Sequence, residues 1–244
     1  MSKKSARKIF LSVFIILFSI VHCAQCLAKP ERGKSVRIVA SGTGFFIDKD
    51  IVVTNSHVIA KGTGLIIVLA NGRTVGATVR DLAAFDKSSD LAVLKLSRAV
   101  NVRPLRLGNS GTVKPGEKVF AIGHPLSAAL SSSAKISEGI INSLAGANDN
   151  HKLFQISIPI QPGNSGGPMF NDRGEVVGIT SAGLRAAQNV NFAVKINELN
   201  RLLRKNNIKV PFADLHGLNV RQDFDATQIM EFFEQAVVRI MVKG

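Results

Sequence analysis

A chain of 244 residues that is 45% hydrophobic can bury one large core or two small ones. Its formal charge of +14 is scattered rather than gathered into a Lys/Arg block, and it contains neither Tyr nor Trp. Platforms for stacking single-stranded bases could come only from Phe or His, so no nucleic-acid partner is expected.

The first 28 residues read as a signal peptide. Lys3, Lys4, Arg7 and Lys8 make a basic start, and Ile9 to Val21 is an apolar run of 13 residues. A membrane span needs about 20. Cys26-Leu27-Ala28 then offers small residues for cleavage before Lys29. The expectation is export to the periplasm or beyond the cell, with no stable membrane span after cleavage. An uncleaved leader would instead make an envelope-anchored scaffold. Both cysteines, Cys23 and Cys26, fall in the leader, so the mature form would carry no disulfide, and its charge would be +10.

From Val36 the chain reads as short apolar or alternating runs separated by turn residues. Strands are predicted at Val36–Ala40, Gly44–Ile47 and Ile51–Thr54, the last two joined by a turn at Asp48-Lys49-Asp50. Gly64–Leu69 and Thr74–Val79 flank the turn signal Asn71-Gly72, and Leu91–Leu96 follows. A break rich in Gly, Pro and Ser runs from Leu107 to Gly116. Beyond it, strands are predicted at Lys118–Ile122, Ile136–Ser143, Leu153–Ile158, Pro168–Phe170, Glu175–Ser181 and Val190–Val194. Ile196–Asn206 and Asp225–Lys243 carry apolar residues at helical spacing. The expected fold is all-β: a β-barrel over 29–109, a second over 110–195, each of six strands, and a helical extension over 196–244.

Three residues stand out chemically. Ser165 lies in Gln161-Pro162-Gly163-Asn164-Ser165-Gly166-Gly167-Pro168, where glycines leave it uncovered and let backbone N–H groups approach a reacting oxygen. A serine needs a base to become a nucleophile, and the base needs an orienting acceptor. His57 follows an apolar strand, and Asp90 opens another. Each has a structural alternative: a Gly-Ser-Gly turn, a satisfied histidine, a turn cap. The five histidines are dispersed without cysteine partners, so neither a metal nor another cofactor is expected.

Taken together these segments resemble the chymotrypsin-like (trypsin-fold) serine peptidases, most closely the HtrA/DegP-type branch. The matches are Ser41-Gly42-Thr43-Gly44-Phe45-Phe46-Ile47, Ile51 to Ile59 around His57, Asp90-Leu91-Ala92-Val93-Leu94-Lys95, and Gly163 to Pro168. The resemblance implies a serine endopeptidase with two six-stranded barrels, acting on unfolded or loosely structured polypeptides. It implies Ser165 as nucleophile, His57 as base and Asp90 as orienting acid, with the N–H groups of Gly163 and Ser165 as oxyanion hole. It places Pro159, six residues before the nucleophile, at the floor of the specificity pocket, with Ser181 and Gly183 assigned to the same pocket. No acid lies near Pro159, so apolar rather than Arg/Lys side chains are expected there.

Departures from the pattern carry expectations too. Asn164 stands where digestive relatives carry an Asp that receives a new N-terminus, so activation by N-terminal trimming is not expected. Only 37 residues follow Asn207, and a compact domain generally needs about 50 or more, so no PDZ domain is expected after the protease. Oligomeric state is left open. A binding or scaffold protein on a protease fold remains the alternative. An esterase is a further one, although Ser165 lacks a G-x-S-x-G elbow.

Overall fold

A computed structural model describes residues 37–60, 62–78, 81–125, 133–181, 190–210 and 223–244. The expected signal peptide and Gly183 lie outside these residues.

The chain enters the fold through β1 (Ile38–Asp48), a single strand that runs through both of the first two predicted ones. Ser41-Gly42-Thr43 continues the extended backbone because glycine here serves close approach. A Cβ on Gly42 would lie 2.6 Å from the Val58 side chain. The turn predicted at Asp48-Lys49-Asp50, whose first residue ends β1, leads into β2 (Ile51–Thr54), all four residues buried, and then into a single helical turn, α1 (Ser56–Ile59). β3 (Gly64–Val68), β4 (Thr74–Thr78) and β6 (Leu91–Lys95) match predicted strands. β5 (Leu82–Asp86) was not predicted; its Leu-Ala-Ala-Phe run lacks β-branched residues, and pairing with β6 supplies what propensity does not.

The second half follows the predicted strands closely: β7 (Lys118–Gly123), β8 (Lys135–Ser143), β9 (Leu153–Ile156), β10 (Pro168–Phe170), β11 (Val176–Ser181) and β12 (Asn191–Lys195). They close into a barrel in the order β10-β11-β12-β9-β8-β7. A cluster of buried apolar residues within it includes Phe154, Ile156, Met169 and Val177. Helix α2 (Ile196–Lys205) buries Ile196, Leu199, Leu202 and Leu203, and lies against β11, β12 and β5.

Two expectations are corrected. The first half is not a closed six-stranded barrel. It is an open seven-stranded sheet in the order β4-β3-β13-β1-β2-β6-β5, with edges at β4 and β5, which are consecutive in the chain. Its seventh strand comes from the other end of the molecule and supplies the second correction. Asp225–Lys243 is not one helix. Helix α3 (Ala226–Phe233) stops after eight residues, a 3₁₀ turn covers Glu234–Ala236, and β13 (Val237–Lys243) follows. A capping box starts α3: the Asp225 carboxylate accepts from the Gln228 N–H, and the Gln228 side-chain oxygen accepts from the Asp225 N–H.

The helical spacing over 225–243 is present, but its second half also carries a strand period. Val238, Ile240 and Val242 are buried, while Arg239, Met241 and Lys243 are partly exposed. Both periods fit the same residues. The tertiary structure decides between them, because β1 and β3 each offer an unpaired edge that β13 fills, from Phe45↔Val237 to Ile38↔Lys243 on one side and from Arg239↔Val68 to Lys243↔Gly64 on the other.

Candidate active site

Asp90 sits at the mouth of β6 with φ +53°, a left-handed conformation that Asp tolerates better than most residues. Its carbonyl accepts from the Asn55 side-chain amide (2.9 Å) and the Ser56 N–H (3.2 Å), which fixes the turn against α1. The carboxylate then meets the helix from above. Oδ1 accepts from the Ser56 hydroxyl (2.9 Å) and the His57 N–H (3.0 Å), and Oδ2 from His57 Nδ1 (2.8 Å). A carboxylate only accepts, so Nδ1 carries a proton, and in the neutral imidazole this leaves the lone pair on His57 Nε2. The Asp90 side chain is 26% exposed and the His57 side chain 46%. Burial pushes the Asp90 pKa up, but the hydrogen bond and charge of His57, with the Ser56 hydroxyl, outweigh it and hold the carboxyl below its ordinary range.

The turn bearing Ser165 is stitched to the same region. Thr43 on β1 donates its N–H to the Ser165 carbonyl (2.9 Å). Gly166 has φ +88°, and a Cβ there would run into the Thr43 carbonyl and the Thr54 hydroxyl, so only glycine lets the turn seat beside the strand that delivers His57. Backbone bookkeeping is selective in this turn. The N–H groups of Asn164, Gly166 and Gly167 donate to the carbonyls of Gln161, Thr180 and Asn164. Among the described residues, those of Gly163 and Ser165 have no acceptor. Two N–H groups without an acceptor among the described residues, one on Ser165 and one two residues before it, are available to a developing oxyanion. The Ser165 residue is half-buried, and among the described residues no hydrogen bond joins its hydroxyl to the His57 ring.

The described residues assigned to the specificity pocket, Pro159 and Ser181, lie on separate segments. Pro159 is exposed, in the irregular segment after β9. Ser181, at the end of β11, donates its hydroxyl to Asp90 Oδ2 (3.0 Å) and so serves the acid. Gly183 lies outside the described residues. Ser181, Ser56, Asn55 and Thr43 were not anticipated in these roles. Ser56 could have been, since it neighbours His57; Ser181 carries no local signal, because its contact spans the two halves of the fold.

The trypsin-like peptidase domain model matches residues 42–179. The chain is 32% identical to human serine protease HTRA4 over 193 residues, 76% of this chain and 38% of that protein. It is similar to the crystal structure of the serine endoprotease from Yersinia pestis, with TM-score 0.60 and 30% identity, over 71% of this chain and 60% of that one. It is also similar to the HtrA-type protease AlgW with decapeptide, with TM-score 0.59 and 27% identity, over 68% of this chain and 51% of that one. The chain spans between about a third and about half of the length of the curated relatives it matches.

Proposed function

We propose that this chain, which belongs to the trypsin-like peptidase domain family, is an exported serine endopeptidase that hydrolyses peptide bonds in unfolded or loosely structured polypeptides. The observation that carries the reading is the His57–Asp90 couple together with a Ser165 turn tied to β1, in which the N–H groups of Gly163 and Ser165 have no acceptor among the described residues. Ser165 Oγ attacks the scissile carbonyl carbon while its proton passes to His57 Nε2. The carbonyl π electrons move onto oxygen, which the Gly163 and Ser165 N–H groups stabilise. Collapse of the tetrahedral adduct breaks the C–N bond, and His57 returns the proton to the leaving amine. Water, deprotonated by the same imidazole, then hydrolyses the acyl-enzyme and restores the Ser165 hydroxyl. Asp90 holds the tautomer that makes Nε2 the base and stabilises the imidazolium.

The absent Ser165–His57 hydrogen bond is compatible with this course, since such bonds are often long without substrate and tighten in the complex. Export rests on the leader; among the described residues no helix is long and apolar enough to cross a membrane. The reading is tested by fluorophosphonate labelling of the protein beside Ser165→Ala, with an unfolded protein substrate present. Labelling and cleavage that both vanish in Ser165→Ala are expected. No labelling of the parent, with or without substrate, would favour a binding protein on a protease fold.

A further inference from the structure

Thr43 is fully buried on β1, yet it touches neither His57 nor Asp90 through any hydrogen bond among the described residues. All of its polar atoms are committed. Its N–H donates to the Ser165 carbonyl (2.9 Å), and its carbonyl accepts from the Thr54 hydroxyl (2.7 Å). Its own hydroxyl lies 2.7 Å from the Gly163 carbonyl and 2.9 Å from the His124 N–H. The direction is fixed by proton count. The His124 N–H can only donate, so the hydroxyl accepts there and gives its single proton to the Gly163 carbonyl.

From this we infer that the Thr43 hydroxyl is a positioning group for the oxyanion hole, an inference that rests on the reading of Ser165 as nucleophile. The two carbonyls Thr43 holds belong to Gly163 and Ser165, the same two residues whose N–H groups find no acceptor among the described residues. Gly163 has φ +100° and no Cβ, so its flanking peptide planes rotate with little steric resistance. The Thr43 hydroxyl is the one donor to its carbonyl among the described residues. The same peptide plane is tied at its other end by the Asn164 N–H to the Gln161 carbonyl (3.0 Å), so removing the Thr43 donor leaves the plane held at one end and lets the hole loosen from its geometry. Thr54, three residues before His57, completes the link: its hydroxyl ties the strand that delivers the base to the strand that holds the nucleophile turn.

The test compares Thr43→Val, which keeps shape and removes the donor, with Thr43→Ser, which keeps the donor. Three quantities are read: the rate of fluorophosphonate labelling, kcat and KM on a peptide, and the downfield proton resonance of the His57–Asp90 hydrogen bond. In Thr43→Val, labelling and kcat should fall about 10²-fold, the scale of a misplacement of about 1 Å, with KM little changed and the resonance retained. Thr43→Ser should stay within a few-fold of the parent. A folded Thr43→Val that is labelled at the parental rate would overturn the inference, as would equal losses in the serine variant. If Thr43→Val loses the resonance, Thr43→Cys takes its place. A thiol is a weak donor, so it should fall below Thr43→Ser, and equal rates for the two would overturn the inference. A parent that is not labelled at all fails the proposed function instead, so the two failures are distinguishable.

Discussion

Asp90 accepts four hydrogen bonds on its carboxylate: from the Ser56 hydroxyl, the His57 N–H, His57 Nδ1 and the Ser181 hydroxyl. Burial alone would raise its pKa; the contacts with His57 and the Ser56 hydroxyl lower it. A lowered folded pKa means that the charged form is favoured by folding. The stability this confers is complete above the unfolded value, about 3.9 for Asp, and is lost as pH falls through the lower folded value. Asp90→Asn removes that dependence. The stability difference between parent and Asp90→Asn, read from urea unfolding, should shrink as pH falls below about 4. A difference that grew towards acid would contradict the assignment. In activity, Asp90→Asn should lower kcat by about 10⁴-fold, because an amide no longer selects the tautomer that leaves Nε2 basic. The residue types and order of Ser165, His57 and Asp90 were legible in the sequence because four local motifs carry them. The roles of Ser181 and Thr43 were not, because each acts through a hydrogen bond to a residue 91 or 120 positions away.

At the scale of elements, β13 is where local pattern and final structure part. Val237–Lys243 satisfies a helical period and a strand period at once, and the outcome depends on neighbours that the segment cannot specify. Once paired, it fills the gap between β1 and β3 with Val237, Val238, Ile240 and Val242, all buried. Ile240 is fully buried, and a Cβ on Gly44 of β1 would come within 2.7 Å of it, so the glycine is what lets the strand pair lie close. Ile240→Ala should cost about 2–5 kcal/mol of unfolding free energy, the range for a buried Ile reduced to Ala. An Ile240→Ala loss below about 1 kcal/mol would mean that β13 does not hold the sheet together. Helix α2 shows the opposite case. Its apolar spacing was read correctly because no competing period exists there, and its start follows directly from the end of β12.

Across the whole molecule, one core cluster spans both halves, beside the barrel's own. A single cluster takes in Phe45 and Leu91 of the sheet, Phe120, Phe170 and Ile179 of the barrel, Leu199 of α2 and Phe233 of α3. Phe170 and Phe233 stack with ring centroids 5.2 Å apart, which joins the barrel wall to the segment leading into β13. Residues 37–244 should therefore unfold in one calorimetric transition. Two resolved transitions, one for the sheet and one for the barrel, would show that the shared cluster does not couple them. The sequence by itself determined the β-rich class, most strand positions and the three residues with reactive chemistry, since these follow from period-2 patterning, turn residues and local motifs. Only the tertiary structure decided that the first sheet stays open, that the last strand of the chain enters it beside β1, and which backbone N–H groups around Ser165 find no acceptor among the described residues. Each of these depends on which hydrogen-bonding groups meet across long stretches of chain, and hydrophobic patterning is blind to that pairing.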